Sequence, residues 1–178
     1  MAETNKLPDR ICVSPSGALT WRGKTYKCAI GKAGVSTEKR EGDGATPVGC
    51  FPLREIYYRP DRLQTPQSNL QTSPLTPSDG WCDDPVHLDY NRQVSLPHAG
   101  RCEELWREDE VYDLIVVIGY NESPPVQGLG SAIFLHIAKN LTGGKFAPTE
   151  GCVALSRDDL LEIIEELAPE SQIEIMPN

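Results

Sequence analysis

At 178 residues, with 39% hydrophobic and 24% charged residues, the chain is long enough for one domain with a real core and too short for two comfortable ones. A formal charge of -9 argues against a nucleic-acid partner, since phosphate neutralisation needs clustered Lys and Arg, and here Arg10, Arg22, Lys27, Lys39 and Arg54 are scattered. No apolar run approaches the ~20 residues of a membrane-spanning helix, so no span is expected.

The start, Met1 to Arg10, is polar and has no apolar segment of the kind a secretory signal carries. Beyond it, 15 Pro and 15 Gly cut the chain into short runs, which predicts a mainly β fold with minor α. Arg10 to Val13 and Ala18 to Trp21 flank the turn Ser14-Pro15-Ser16-Gly17 as a first hairpin, and Thr25 to Ile30 continues it. Phe51 to Tyr58 is a further strand. Residues 59–97 are polar and interrupted by Pro60, Pro66, Pro74, Pro77, Pro85 and Pro97, which reads as a Pro-rich insertion or lid within the single domain 1–178. Cys102 to Glu108, with Leu105-Trp106, is read as a short helix.

Tyr112 to Gly119 contains a continuous apolar run and predicts a strand buried on both faces, with Ala132 to Ala138 as its neighbour. A helix follows at about 156–168. Ser156 is its N-cap, Asp158 and Asp159 sit in its first turn, and Leu160, Leu161, Ile163, Ile164 and Leu167 form its apolar stripe. Ile173 to Met176 closes the fold as a strand.

Two residues bear nucleophilic chemistry. His136 stands in the strand Ile133 to Ala138, and Cys152 follows Thr149-Glu150-Gly151, so strand, loop and strand bring an imidazole and a thiol from adjacent backbone. A neighbouring His is the commonest way to make a thiolate near neutral pH. Singly, each reads as core: free Cys is usually inert packing, and His136 alternates with Ile133, Leu135 and Ile137 on the face of Phe134. The glycine-rich stretch Glu41 to Phe51 lacks the G-K-[ST] ending of a phosphate loop and reads as a tight turn. Trp81 with Asp83, and Trp106 beside charge, either hold a peptide from the lid or pack the loop. The six cysteines show no C-x-x-C and no His at metal-ligand spacing, so no structural zinc site and no other metal is expected. With Cys152 as a working thiol, at least one further Cys must be free, which tilts towards a reducing compartment.

The pair of signatures, Thr46-Pro47-Val48-Gly49-Cys50-Phe51 upstream and His136 with Thr149-Glu150-Gly151-Cys152 downstream, resembles the L,D-transpeptidase (YkuD-type) catalytic domain family across nearly the whole chain. The resemblance implies a β-sandwich of mixed sheets with the helix packed alongside. It implies a Cys152 nucleophile paired with His136, backbone N–H groups around Gly151 and Cys152 as oxyanion donors, and Thr149 orienting the site. Glu150, Trp81, Asp83, Trp106 and Phe134 would then contact substrate. Donor and acceptor peptidoglycan stem peptides are the implied partners, carbapenems the implied covalent inhibitors, and no cofactor is needed. The implied product is a cross-link made through a Cys thioester. A carboxypeptidase, a cross-link-cleaving or lipoprotein-releasing hydrolase, and a non-catalytic cell-wall peptide-binding domain are the alternatives. The implied location is the cell envelope or periplasm, whereas the N-terminus without a visible signal points to the cytoplasm. Glu150 and Ala154 depart from the commoner family residues. In an extended segment Glu150 shares a face with Cys152, where an acid would raise the thiol pKa.

Overall fold

The computed structural model describes residues 10–178; the reading of the N-terminal segment as free of a signal falls on residues 1–9, outside them. The chain opens with a meander, β1 (Arg10–Ser14), β2 (Ala18–Trp21) and β3 (Lys24–Ala29). Its first turn closes where the Gly17 N–H donates to the Ser14 carbonyl at 3.0 Å, with Gly17 at φ +82°. That left-handed conformation is cheap only for glycine. Two short strands, β4 (Val35–Ser36) and β5 (Thr46–Pro47), then pair in parallel.

The long strand β6 (Gly49–Tyr58) holds the main sheet together. Its first half pairs with β14 (Gln172–Ile175) and its second half with both β11 (Leu114–Ile118) and β7 (Gln71–Pro74). With β12 (Phe134–Ile137) and β13 (Val153–Leu155), the order is β11-β12-β13-β3-β2-β1-β14-β6-β7. The extra β6–β11 pairing closes this sheet on itself, with β7 added outside. A small antiparallel sheet, β8 (Asp79–Cys82), β9 (Gln93–Ser95) and β10 (Cys102–Glu104), is ordered β10-β8-β9.

The apolar runs of β11 and β12 are buried on both faces, as their sequences require. Leu114, Val116, Leu135 and Ile137 join the main core with Ile11, Leu19, Leu53 and Val153. Ile115, Val117 and Phe134 face the other way and pack under Trp81, Leu105 and Tyr112. The small sheet and its loops therefore roof the face of β12 that also carries His136.

The only α-helix among the described residues is α1 (Arg157–Glu165). Ser156 caps it as expected, accepting the Asp159 N–H and donating to the Asp159 carboxylate at 2.6 Å. Leu160, Ile163 and Ile164 are fully buried in the main core, each contributing roughly 1.5–3 kcal/mol by the usual transfer scale. Leu167 stays buried after the helix has ended, so the sequence stripe outlasts the helix.

Two sequence expectations need correction. Cys102 to Glu104 is not helical but strand β10, because pairing with β8 outweighs local preference, and the Leu105 N–H donates to the Asp79 carbonyl at 3.0 Å. The 59–97 stretch is less irregular than its prolines suggest, since it contains β7, β8 and β9.

Candidate active site

Strands β12 and β13 run side by side in parallel, with Leu135 opposite Val153 and His136 opposite Ala154. Cys152 stands immediately before β13, and its sulfur fits into the backbone of the neighbouring segment. The Phe134 N–H donates to Sγ at 3.3 Å, and the thiol donates to the Ala132 carbonyl at 3.2 Å. A sulfur that accepts one hydrogen bond and donates another is a protonated thiol.

The turn ahead of the cysteine is shaped by glycine and threonine. Gly151 adopts φ +146°, and a Cβ there would lie 2.9 Å from the Ala45 carbonyl oxygen, so only glycine fits. Thr149 Oγ1 accepts the Gly151 N–H at 3.1 Å and donates to the Cys152 carbonyl at 2.6 Å. The Gly151 N–H is thereby engaged by Thr149 in this structure. The upstream signature supports the same turn: Thr46 Oγ1 accepts the Gly31 N–H at 2.9 Å, and Gly31 pairs with Thr149. Residues far apart in sequence thus brace one loop.

His136 Nδ1 lies 2.9 Å from the Ile137 carbonyl, which has no hydrogen to give, so Nδ1 carries the proton. Nε2 is left with a free lone pair, the form a general base requires. Burial pushes the His136 pKa down to about 4 and the Cys152 pKa up to about 12, the Glu103 charge adding to the latter. With the thiol donating to one carbonyl and Nδ1–H to another, both groups rest neutral in this structure, where neither ion would be solvated. Among the described residues no hydrogen bond joins sulfur and imidazole. Tyr112 covers the imidazole edge-on at 5.4 Å between ring centroids and donates to Glu103 at 2.7 Å, while burial raises the Glu103 pKa.

A cavity of about 830 Å³ opens over these groups. Cys152, His136, Gly151, Thr149, Glu150 and Asp83 line it, as do Tyr112, Glu103, Arg107 and Lys139. Glu150 does not face the thiol: its side chain is 77% exposed and pairs with Lys32 at 2.7 Å. The Gly151 conformation breaks the strand alternation that would have put the acid beside sulfur. Asp83 is held by Arg101 at 3.0 Å. Three aromatic residues expected to touch substrate lie outside the lining. Phe134 is buried beneath the site, Trp81 packs edge-on against it at 5.0 Å, and Trp106 lies under the Arg59 guanidinium at 3.7 Å. Ala154 is buried in a small cluster with Ala29 and Ala138 and also lines the cavity.

Sequence reading missed Tyr112, Glu103, Arg107 and Asn91. Asn91 is buried with φ +57°. Its Oδ1 accepts the Trp81 indole N–H at 2.9 Å and the Ala132 N–H at 3.0 Å, so it fixes the residue whose carbonyl receives the thiol. The aromatic start of the β11 run was the one available signal, for Tyr112. Metal-capable donors at close separations occur at Cys82, His98 and Cys102, and at His87, Asp89 and His98.

The L,D-transpeptidase catalytic domain model, YkuD, matches residues 8–175. The chain belongs to that family. Similar solved structures include an L,D-transpeptidase from Mycobacterium smegmatis, at 12% identity and TM-score 0.47, covering 94% of this chain and 58% of that one. The helical cell shape determining protein Pgp2 from Campylobacter jejuni aligns at 15% identity and TM-score 0.45, covering 95% of this chain and 47% of that one. The L,D-transpeptidase LdtMt1, solved in complex with imipenem, aligns at 13% identity and TM-score 0.42, covering 94% and 58% respectively. This YkuD domain therefore spans about half the length of these solved chains. No curated protein matches it.

Proposed function

We propose that this YkuD domain is a cysteine acyltransferase that cross-links peptidoglycan stem peptides, with Cys152 as nucleophile and His136 as base. The observation that carries the reading is a neutral imidazole with its Nε2 lone pair free, sharing one cavity with a cysteine thiol. Because thiol and imidazole are neutral at rest, the proton leaves sulfur as the carbon–sulfur bond forms, not before. Cys152 Sγ attacks a peptide carbonyl of the donor stem, and His136 Nε2 takes the thiol proton. The Cys152 N–H is the oxyanion donor we assign, since Thr149 occupies the Gly151 N–H. Collapse breaks the C–N bond, His136 returns the proton to the departing amine, and a thioester remains. An acceptor amine then attacks the thioester and releases the thiol. Thr149 shapes the turn, and Tyr112 with Glu103 shields the imidazole from water.

Intact mass after incubation with a carbapenem tests the nucleophile. A single covalent adduct on wild type, absent from Cys152→Ala, is expected; no adduct, or one that survives the substitution, refutes the assignment. Defined tetrapeptide muropeptides then test the outcome. Cross-linked dimers are expected, whereas release of a shortened monomer alone would make water the acceptor and the enzyme a hydrolase. We place the protein at the cell envelope because this substrate is there; fractionation that recovers it only from cytosol would overturn that placement.

A further inference from the structure

The strand pairing that forms the small sheet puts Cys82 of β8 directly opposite Cys102 of β10. His98, on the segment between β9 and β10, folds back onto them, with Nδ1 3.3 Å from Cys102 Sγ. The two sulfurs and the imidazole nitrogen all lie within 4.8 Å of one another. In a tetrahedral site with Zn–S near 2.3 Å and Zn–N near 2.0 Å, ligand atoms stand roughly 3.5–3.8 Å apart. The observed sulfur-to-nitrogen separation is close to that edge.

The histidine is also in the right tautomer. With Nε2–H facing the Asp89 carboxylate at 3.1 Å, Nδ1 bears the lone pair, which accepts the Gly100 N–H at 3.1 Å, with the Gly100 carbonyl 3.4 Å away, and would exchange that bond for the ion. An imidazole whose far N–H is held by a carboxylate is the usual arrangement behind a metal-bound histidine. His87 completes the support, its ring centroid 4.5 Å from that of His98 and its Nδ1 accepting the Asp89 N–H. Sequence spacing gave no hint of this, because the donors come from two strands and the connection between them.

We propose that Cys82, Cys102 and His98 bind one zinc ion, with solvent in the fourth position and Asp89 orienting His98 from behind. Two thiolates and one imidazole are a donor set that selects zinc over the hard cations magnesium and calcium. Bound there, the ion ties β8, β10 and the β9–β10 connection into one unit. Glu103, the residue after Cys102, reaches Tyr112 over the imidazole of His136, so the ion would stiffen the roof of the active-site cavity.

The full chain, purified with its thiols reduced, is stripped with a chelator and titrated with Co2+, whose tetrahedral d–d and thiolate charge-transfer bands report the ligands. Saturation at one Co2+ per chain with both band types is expected, as is displacement by Zn2+ and about one zinc per chain by elemental analysis before stripping. Cys102→Ser and His98→Asn should each weaken Co2+ uptake at least tenfold, while Cys50→Ser leaves it unchanged. Because Cys82 is fully buried, its variants can unfold, so the wild-type spectrum decides on its own. Absence of charge-transfer bands on the reduced wild type overturns the proposal. So does an unchanged spectrum in the Cys102→Ser, His98→Asn double variant. A Cys82–Cys102 disulfide in freshly isolated protein, shown by peptide mass spectrometry, overturns it equally.

Discussion

The neutral resting pair makes a prediction about thiol reactivity that separates it from a preformed thiolate. Burial raises Cys152 from the ordinary 9.0 to about 12. At pH 7 this leaves a thiolate fraction of about 10⁻⁵, against about 10⁻² for an ordinary thiol, a deficit of roughly a thousandfold. N-acetylcysteine, a free thiol reacted in parallel, is the reference. Treated with iodoacetamide across pH 6–10 and followed by peptide-resolved mass spectrometry, Cys152 should label at least about a thousandfold more slowly than the free thiol, with no inflection below pH 9. His136→Gln should leave that slow rate unchanged, because the imidazole does not hold the proton at rest, yet abolish carbapenem acylation. Labelling of Cys152 as fast as the free thiol, or an inflection near pH 6 lost in His136→Gln, would refute the reasoning and restore a thiolate–imidazolium pair.

The same burial links His136 to stability. Its folded pKa of about 4 lies below the ordinary 6.5, so the unfolded chain takes the proton first as pH falls. Stability is complete above pH 6.5 and declines towards pH 4 by about 3 kcal/mol, a slope that urea titrations should show flattened in His136→Gln. Gly151→Ala forces a Cβ against the Ala45 carbonyl at positive φ, and should lower stability by about 1–3 kcal/mol in thermal unfolding and suppress carbapenem acylation. Asn91→Ala strips the Trp81 and Ala132 N–H groups of their buried acceptor; urea unfolding should show a loss of about 2–5 kcal/mol. Ser156→Ala removes the helix cap and should cost about 1 kcal/mol by the same assay, with acylation unchanged.

The strands and the helix were legible because local pattern and burial agree. Ile11 and Val13 alternate inward on β1, and the double-sided burial of β11 and β12 needs a run without alternation. His136 and Cys152 could be read because one stands on β12 and the other at the entrance to its parallel neighbour β13, so their closeness follows from one local connection. Their protonation could not, since it depends on what covers them: Tyr112 and Glu103 arrive from β10 and the segment before β11, with no spacing that announces it. Asn91 escaped for the same reason, its partners being an indole ten residues away and a backbone N–H 41 residues away in sequence. For Trp81 and Trp106 the sequence leaves two readings open, because an indole next to charge suits a binding loop and a packed one alike, and here both indoles are packed. Glu150 was misjudged by geometry, as a single glycine turned it away from sulfur.

The parallel pairing of β1 with β14 has a consequence for how the protein is made. Arg10 and Glu174 meet at 3.0 Å although 164 residues separate them. β14 lies directly between β1 and β6, so the sheet cannot close until that strand has emerged from the ribosome. Until then the nascent chain carries two unpaired edges, at β1 and along the first half of β6, both templates for pairing with another chain. Closing so long a loop also places this fold among the slow ones. A stalled or truncated chain should therefore aggregate through those two edges, long before any question of acylation arises.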